Sequence, residues 1–194
     1  MTVTATPVSE RASAAHSAAV HFAATNATTA RFFGENADAI ARACQAMADR
    51  FQLGGRMFVC GDGAQRSDVA HVVVEFVHPV VVGKRALPAL SLPEMAGGLA
   101  RGALATLARS GDLLLVLSAR GANESVHEIV SEAHTRGLLT IALCGEARRT
   151  ALVADHLFAV PSTDPCVVQE THELLYHVLW ELVHVFFEHR SVAR

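Results

Sequence analysis

The sequence holds a single lysine, Lys84, against abundant arginine, a bias of genomic composition rather than of chemistry. It has no basic run, and its formal net charge is −3. Without a cationic stripe to follow a phosphate backbone, nucleic acid is excluded as the main partner. No apolar run reaches the roughly 20 residues of a membrane-crossing helix, so no membrane is expected as a partner. Met1–Ser13 lacks a basic stretch followed by an apolar one, so no secretory leader is expected. The four cysteines, Cys44, Cys60, Cys144 and Cys166, form no CxxC pair. Cys60 and Cys144 each end an apolar strand and read as small buried thiols in a reduced, cytoplasmic setting. There is no internal repeat and no long linker.

What is present suits one compact domain of 194 residues, 51% hydrophobic and 18% charged. Met1–Ala30, rich in Ala, Thr and Ser, is expected to be helical in part or frayed. Arg31–Leu53 carries Phe32, Ile40, Cys44, Met47 and Phe51 at helical spacing, and Gly54-Gly55 ends it. From Arg56 onward strands and helices alternate. Strands are predicted at Arg56–Cys60, Ala86–Leu92, Asp112–Ser118, Leu138–Cys144 and His156–Val160. Helices are predicted at Ser67–Phe76, Ala96–Ser110, Glu124–Arg136, near Ala147–Val153, and from about Cys166 to Arg190. Asp112–Ser118 is a continuous apolar run of the kind buried on both faces of a parallel sheet. The alternation predicts a doubly wound α/β fold, a parallel sheet flanked by helices on both faces, with long N-terminal and C-terminal helices. Ligands of such sheets sit at the carboxyl ends of the strands, near a topological switch point.

The chain is organised around Arg56–Phe76. There a short strand turns through Gly61-Asp62-Gly63-Ala64-Gln65 into a helix that Ser67 or Asp68 can cap. Backbone N–H groups at such a turn suit an anion, although many strand-to-helix turns use glycine without any ligand. The turn is not a dinucleotide fingerprint, since the third glycine is missing, and not a P-loop, since Gly-Lys-Ser/Thr is absent. His71 and Glu75 then share a helix face at i,i+4. In an otherwise apolar helix, two stacked polar side chains need partners. The last helix offers Gln169, Glu170, His172, Glu173, Tyr176 and His177, and imidazoles and carboxylates are usual ligands of zinc or a similar divalent metal. Spacing leaves open which of them point inward, and an exposed polar face is the alternative. His184 and His189 are expected at exposed or interfacial positions. Ser118–Asn123 is a second strand-end loop, able to hold an anion through backbone N–H groups, Ser118, Arg120 and Asn123, or simply to cap a helix through Asn123.

Taken together, these residues resemble the sugar isomerase (SIS) domain family, and within it the phosphoheptose isomerases, which act on sedoheptulose 7-phosphate. The family signature Cys-Gly-Asn-Gly-Gly-Ser, Asp, His-x-x-x-Glu stands here as Cys60-Gly61-Asp62-Gly63-Ala64-Gln65, Asp68, His71 and Glu75. Its last-helix signature stands as Gln169-Glu170-Thr171-His172 and His177. The resemblance spans about Phe32 to the end of the last helix, giving a single SIS domain over 31–194 with a five-stranded sheet after the segment 1–30. It implies that His71, Glu75, Gln169 and His177 are metal ligands, usually for zinc, and that Glu75 and His177 are the acid/base pair. It favours Gln169 over Glu173 as the inward residue. It also implies a site at a subunit boundary of a homotetramer, and the apolar final helix itself favours a homo-oligomer, tetramer or dimer. Asp62, Gly63, Gln65, Ser118, Arg120 and Asn123 fall at substrate-binding positions.

The substrate loops depart from the family. Ser-Thr-Ser-Gly-Asn-Ser is replaced by Ser118-Ala119-Arg120-Gly121-Ala122-Asn123, Gln65 replaces a serine, and Asp62 an asparagine. The family's Asn-Asp pair has no counterpart in Pro93–Gly98. A carboxylate at Asp62 repels a phosphate unless Arg66 or Arg120 neutralises it. The expected activity is therefore a metal-assisted aldose–ketose isomerisation of a sugar phosphate with a diverged phosphate loop. The alternative is a repurposed, non-catalytic scaffold or regulator that binds a metal or another anion.

Overall fold

The structure, a computed structural model, describes residues 8–146 and 152–192. The apolar run Leu113–Ser118 forms β3 and is buried along its whole length, so it needs cover on both faces. It lies at the centre of a five-stranded sheet. The other strands are β1 (Met57–Gly61), β2 (Ala89–Ser91), β4 (Leu139–Gly145) and β5 (His156–Val160). All pairings are parallel, in the order β2-β1-β3-β4-β5. The helices are α1 (Val8–Gln52), α2 (Arg66–Val77), α3 (Leu99–Leu107), α4 (Glu124–Thr135) and α5 (Pro165–Val192).

Alternate strand residues divide the core into two layers. Met57, Val59, Leu113, Leu115, Ile141 and Leu143 face α1, α2 and α5. Phe58, Cys60, Leu114, Val116, Ala142 and Cys144 face α3 and α4. Truncating one such leucine to alanine costs about 2–5 kcal/mol, so these layers fix where the strand ends stand. Arg56 and Asp112 brace the opposite, amino-terminal ends of β1 and β3. The Arg56 backbone N–H and guanidinium donate to the two Asp112 oxygens at 2.8 Å each, and the Arg109 N–H adds a bond at 2.9 Å.

The expected alternation and the parallel, doubly wound sheet are present, with differences in extent. Helix α1, described from Val8, runs without a break through Ala30, so residue 30 is not an element boundary. The predicted strand Ala86–Leu92 contracts to three residues of an edge strand, because Pro88 cannot donate to a ladder. The predicted helix Ala96–Ser110 shortens because Gly97 and Gly98 take φ of 67° and 75°. These values give a separate 3-10 turn before α3. Most of the predicted helix near Ala147–Val153 lies outside the described residues. Neither Ser67 nor Asp68 caps α2; the cap position is Gln65, with no side-chain cap bond. His184, expected on the surface or at an interface, is 2% exposed and bonds the carbonyl oxygens of Trp180 and Arg85. Among the described residues, no helix is long and apolar enough to cross a membrane.

Between β1 and β3 the chain reverses its direction of winding, leaving β1 for β2 on one side and reaching β3 on the other. This is the switch point of the sheet, and its crevice opens between the ends of β1 and β3.

Candidate active site

Helix α2 carries His71 and Glu75 on one face, and α5 brings His177 against them. Glu75 Oε1 stands 3.6 Å from His71 Nε2 and 3.3 Å from His177 Nε2. Ligand-type atoms of all three residues lie within 4.8 Å of one another. A tetrahedral ion held at about 2.0–2.1 Å separates its ligand atoms by roughly 3.4 Å. The two measured separations fit that spacing, and the donor set of two imidazoles and a carboxylate suits zinc. The side chains are partly open, with Glu75 the most buried at 17% exposure, so the cluster is reachable from outside.

Tyr176, fully buried, sets the His71 ring. Its hydroxyl is 2.9 Å from His71 Nδ1, which turns Nε2 towards Glu75. Burial pushes the Tyr176 phenol well up, and the nearby charges of Glu173, Asp68 and Glu75 push it the same way. The phenol therefore keeps its proton at neutral pH. Glu173 Oε1 lies 3.8 Å from the same Nδ1, on the rim rather than among the clustered groups.

Gln169 is oriented by Asp68. Its amide nitrogen donates to both Asp68 oxygens at 3.1 Å, which leaves the amide carbonyl as its remaining ligand atom. Burial pushes the Asp68 carboxyl up, opposed by the Gln169 hydrogen bond. Beneath the Gly61–Gln65 turn, the Gln65 amide oxygen is 3.1 Å from His172 Nδ1, with Gln65 1% and His172 0% exposed. Gln65, expected at a substrate-binding position, is thus buried with its amide oxygen held against His172 and its amide nitrogen without a partner among the described residues. Burial lowers His172 to about 4, so its ring is neutral at pH 7.

At the crevice, Asp62 follows β1, and Ser118 ends β3. Asp62 Oδ2 accepts from Ser118 Oγ and from Asn123 Nδ2, both at 2.8 Å. Asn123 also caps α4, accepting from the Val126 N–H at 3.1 Å, as its position predicts. Gly63 turns with φ 50°, and Arg120 is exposed. His71 stands five residues past the start of α2 at Arg66, roughly 8 Å further along the helix axis. One helix therefore joins the crevice to the His/Glu cluster. A cavity of about 400 Å³ adjoins the cluster, lined by Glu75, Lys84, His177, Trp180 and Glu181 among others.

The structure thus brings together three of the four expected metal-ligating residues and places the fourth, Gln169, beside Asp68. Of the last-helix groups offered as partners, Tyr176 meets His71 and His172 meets Gln65, while Asp68, read as a helix cap, holds Gln169 instead. Asp68 precedes His71 by three residues, so helical spacing already put them on one face. Which of the last-helix groups point inward carried no such signal, because their partners lie more than 100 residues away.

Fold and crevice together define a doubly wound α/β protein with its polar groups at the switch point. Residues 21–145 match the SIS domain, and the chain belongs to the SIS domain family. It is 31% identical to a phosphoheptose isomerase of Thermodesulfovibrio yellowstonii, over 81% of this chain and 86% of the relative. A phosphoheptose isomerase structure from Francisella tularensis superposes with a TM-score of 0.77 at 24% identity, covering 88% of this chain and 98% of the other. The sugar isomerase domain of an RpiR transcription factor from Sphaerobacter thermophilus shares the fold, with a TM-score of 0.62 at 19% identity, covering 89% and 92%.

Proposed function

We propose that this chain is a sugar-phosphate isomerase of the phosphoheptose isomerase type, interconverting a ketose and an aldose of the sedoheptulose 7-phosphate class. The observation that carries this conclusion is the meeting of Glu75 with His71 and His177, in a chain with phosphoheptose isomerase relatives. His71, Glu75 and His177, with the Gln169 carbonyl, would hold zinc or another divalent ion, which when bound supplies Lewis-acid polarisation of the sugar carbonyl. Glu75 takes a proton from C1 of the ketose while His177 protonates the C2 oxygen, giving an enediol. Return of a proton to C2 and loss of the O1 proton give the aldose. Glu75 Oε1 faces both imidazoles, which in this reading leaves Oε2 for the proton transfer. Tyr176 holds the His71 ring, and Asp68 holds the Gln169 amide. Val74, Val77 and Leu174, exposed on the helices that carry the cluster, support a homo-oligomer, tetramer or dimer, that would cover this face; the setting is the cytoplasm, as the cysteine usage suggests.

The test is turnover of sedoheptulose 7-phosphate by metal-loaded wild type and Glu75→Gln. The wild type is expected to turn over, and the variant to lose about 10²–10⁴-fold in kcat. A wild type with bound metal and no turnover would instead favour a metal- or anion-binding scaffold, for which the engagement of Asp62 by Ser118 and Asn123 is the specific support.

A further inference from the structure

Two side-chain donors at the switch-point crevice, Ser118 and Asn123, already serve an anion that belongs to the chain. Ser118 has one hydroxyl proton, and two acceptors compete for it, Asp62 Oδ2 at 2.8 Å and the Gly121 carbonyl at 2.7 Å. The Asn123 amide is fixed by its cap on α4, and its Nδ2 is aimed at the same Asp62 oxygen. Arg66 turns to Glu94 at 3.8 Å, and among the described residues neither Arg66 nor Arg120 forms an ion pair with Asp62. A phosphate entering here meets a like charge, with the Ser118 hydroxyl proton already engaged and one Asn123 N–H already given to Asp62. An uncharged hydroxyl meets an acceptor instead, because Asp62 Oδ1 makes no side-chain hydrogen bond among the described residues.

We propose that Asp62 is a specificity-determining residue, a built-in carboxylate that lowers the affinity of this crevice for phosphate and favours a hydroxyl-bearing, uncharged sugar end. The proposal rests on the reading above only for placing a sugar in the crevice, not for turnover. It makes phosphate contribute less to binding in this crevice than it would with an uncharged residue at position 62.

Calorimetric titration of the full chain with inorganic phosphate, and separately with sedoheptulose, tests this. Asp62→Asn keeps an oxygen for both hydrogen bonds and removes only the charge; Asp62→Ser removes the charge with a smaller side chain. Both variants are expected to bind phosphate about tenfold or more tightly than wild type, with sedoheptulose affinity unchanged or weaker. Wild type binding phosphate as tightly as both variants overturns the proposal. So does a parallel gain for sedoheptulose, which would mark a change of shape rather than of charge. Absence of isomerase turnover in the wild type would sink the proposed activity and leave these binding results standing.

Discussion

Replacing Tyr176 with phenylalanine isolates one hydrogen bond at the candidate metal cluster. The hydroxyl lies 2.9 Å from His71 Nδ1, while the ring packs edge-on against His71 at 5.3 Å and His177 at 4.9 Å. Phenylalanine keeps both ring contacts and removes only the hydroxyl. When His71 Nε2 ligates an ion, its Nδ1–H must donate elsewhere, and Tyr176 Oη is the oxygen placed to accept it. Loss of such a supporting partner costs about 10–100-fold in metal affinity, or about 1.4–2.7 kcal/mol. The fold itself should lose only about 1 kcal/mol, the net value of an ordinary hydrogen bond. Zinc affinity measured by competition with a chromophoric chelator reads the first effect, and thermal unfolding in excess chelator reads the second. If Tyr176→Phe bound zinc as tightly as wild type, His71 would not ligate through Nε2 with Tyr176 behind it.

Two further predictions concern the frame that holds the site. Burial pushes the Asp112 carboxyl up, but hydrogen bonds from the Arg56 side chain and the Arg109 and Arg56 backbone outweigh it and hold it below its ordinary value. A depressed carboxyl stabilises the fold fully above its unfolded-state value of about 4, and loses that contribution as pH falls further, through its lower folded-state value. Asp112→Asn should therefore cost about 1–3 kcal/mol at pH 7, with the gap to wild type closing below pH ~4 in denaturant titrations; a pH-independent gap would contradict this. At the end of β4, a Cβ on Gly145 would lie 2.3 Å from the Ala119 carbonyl oxygen, so Gly145→Ala should destabilise by about 1–3 kcal/mol. An unchanged urea midpoint would show that the β3 and β4 ends separate freely.

Much of this arrangement was legible in the sequence because it rests on local periodicity. The apolar run Leu113–Ser118 announced a strand buried on both faces, and the i,i+4 spacing of His71 and Glu75 placed them on one helix face. Asn123 was legible as a cap because capping depends on a residue and its next three neighbours. Contacts made by the tertiary fold were not legible. Asp68 looked like a cap from its place at the start of α2, yet burial gives it Gln169 from the opposite end of the chain as its partner. Gln65 looked like a loop donor, yet it turns inward to His172. Asp62 was visible as a charge problem, but its capture of the Ser118 and Asn123 donors depends on strand order, which alternation alone does not give.

The central claim, that Glu75 and His177 move a proton between adjacent carbons of a sugar phosphate, is tested most directly by running the reaction in D₂O. Metal-loaded protein is incubated with sedoheptulose 7-phosphate and followed by NMR. The expected result is the corresponding aldose 7-phosphate carrying solvent deuterium at C2, formed by wild type and not by Glu75→Gln. Metal-bound wild type that neither forms the aldose nor exchanges the C1 hydrogens would contradict the claim.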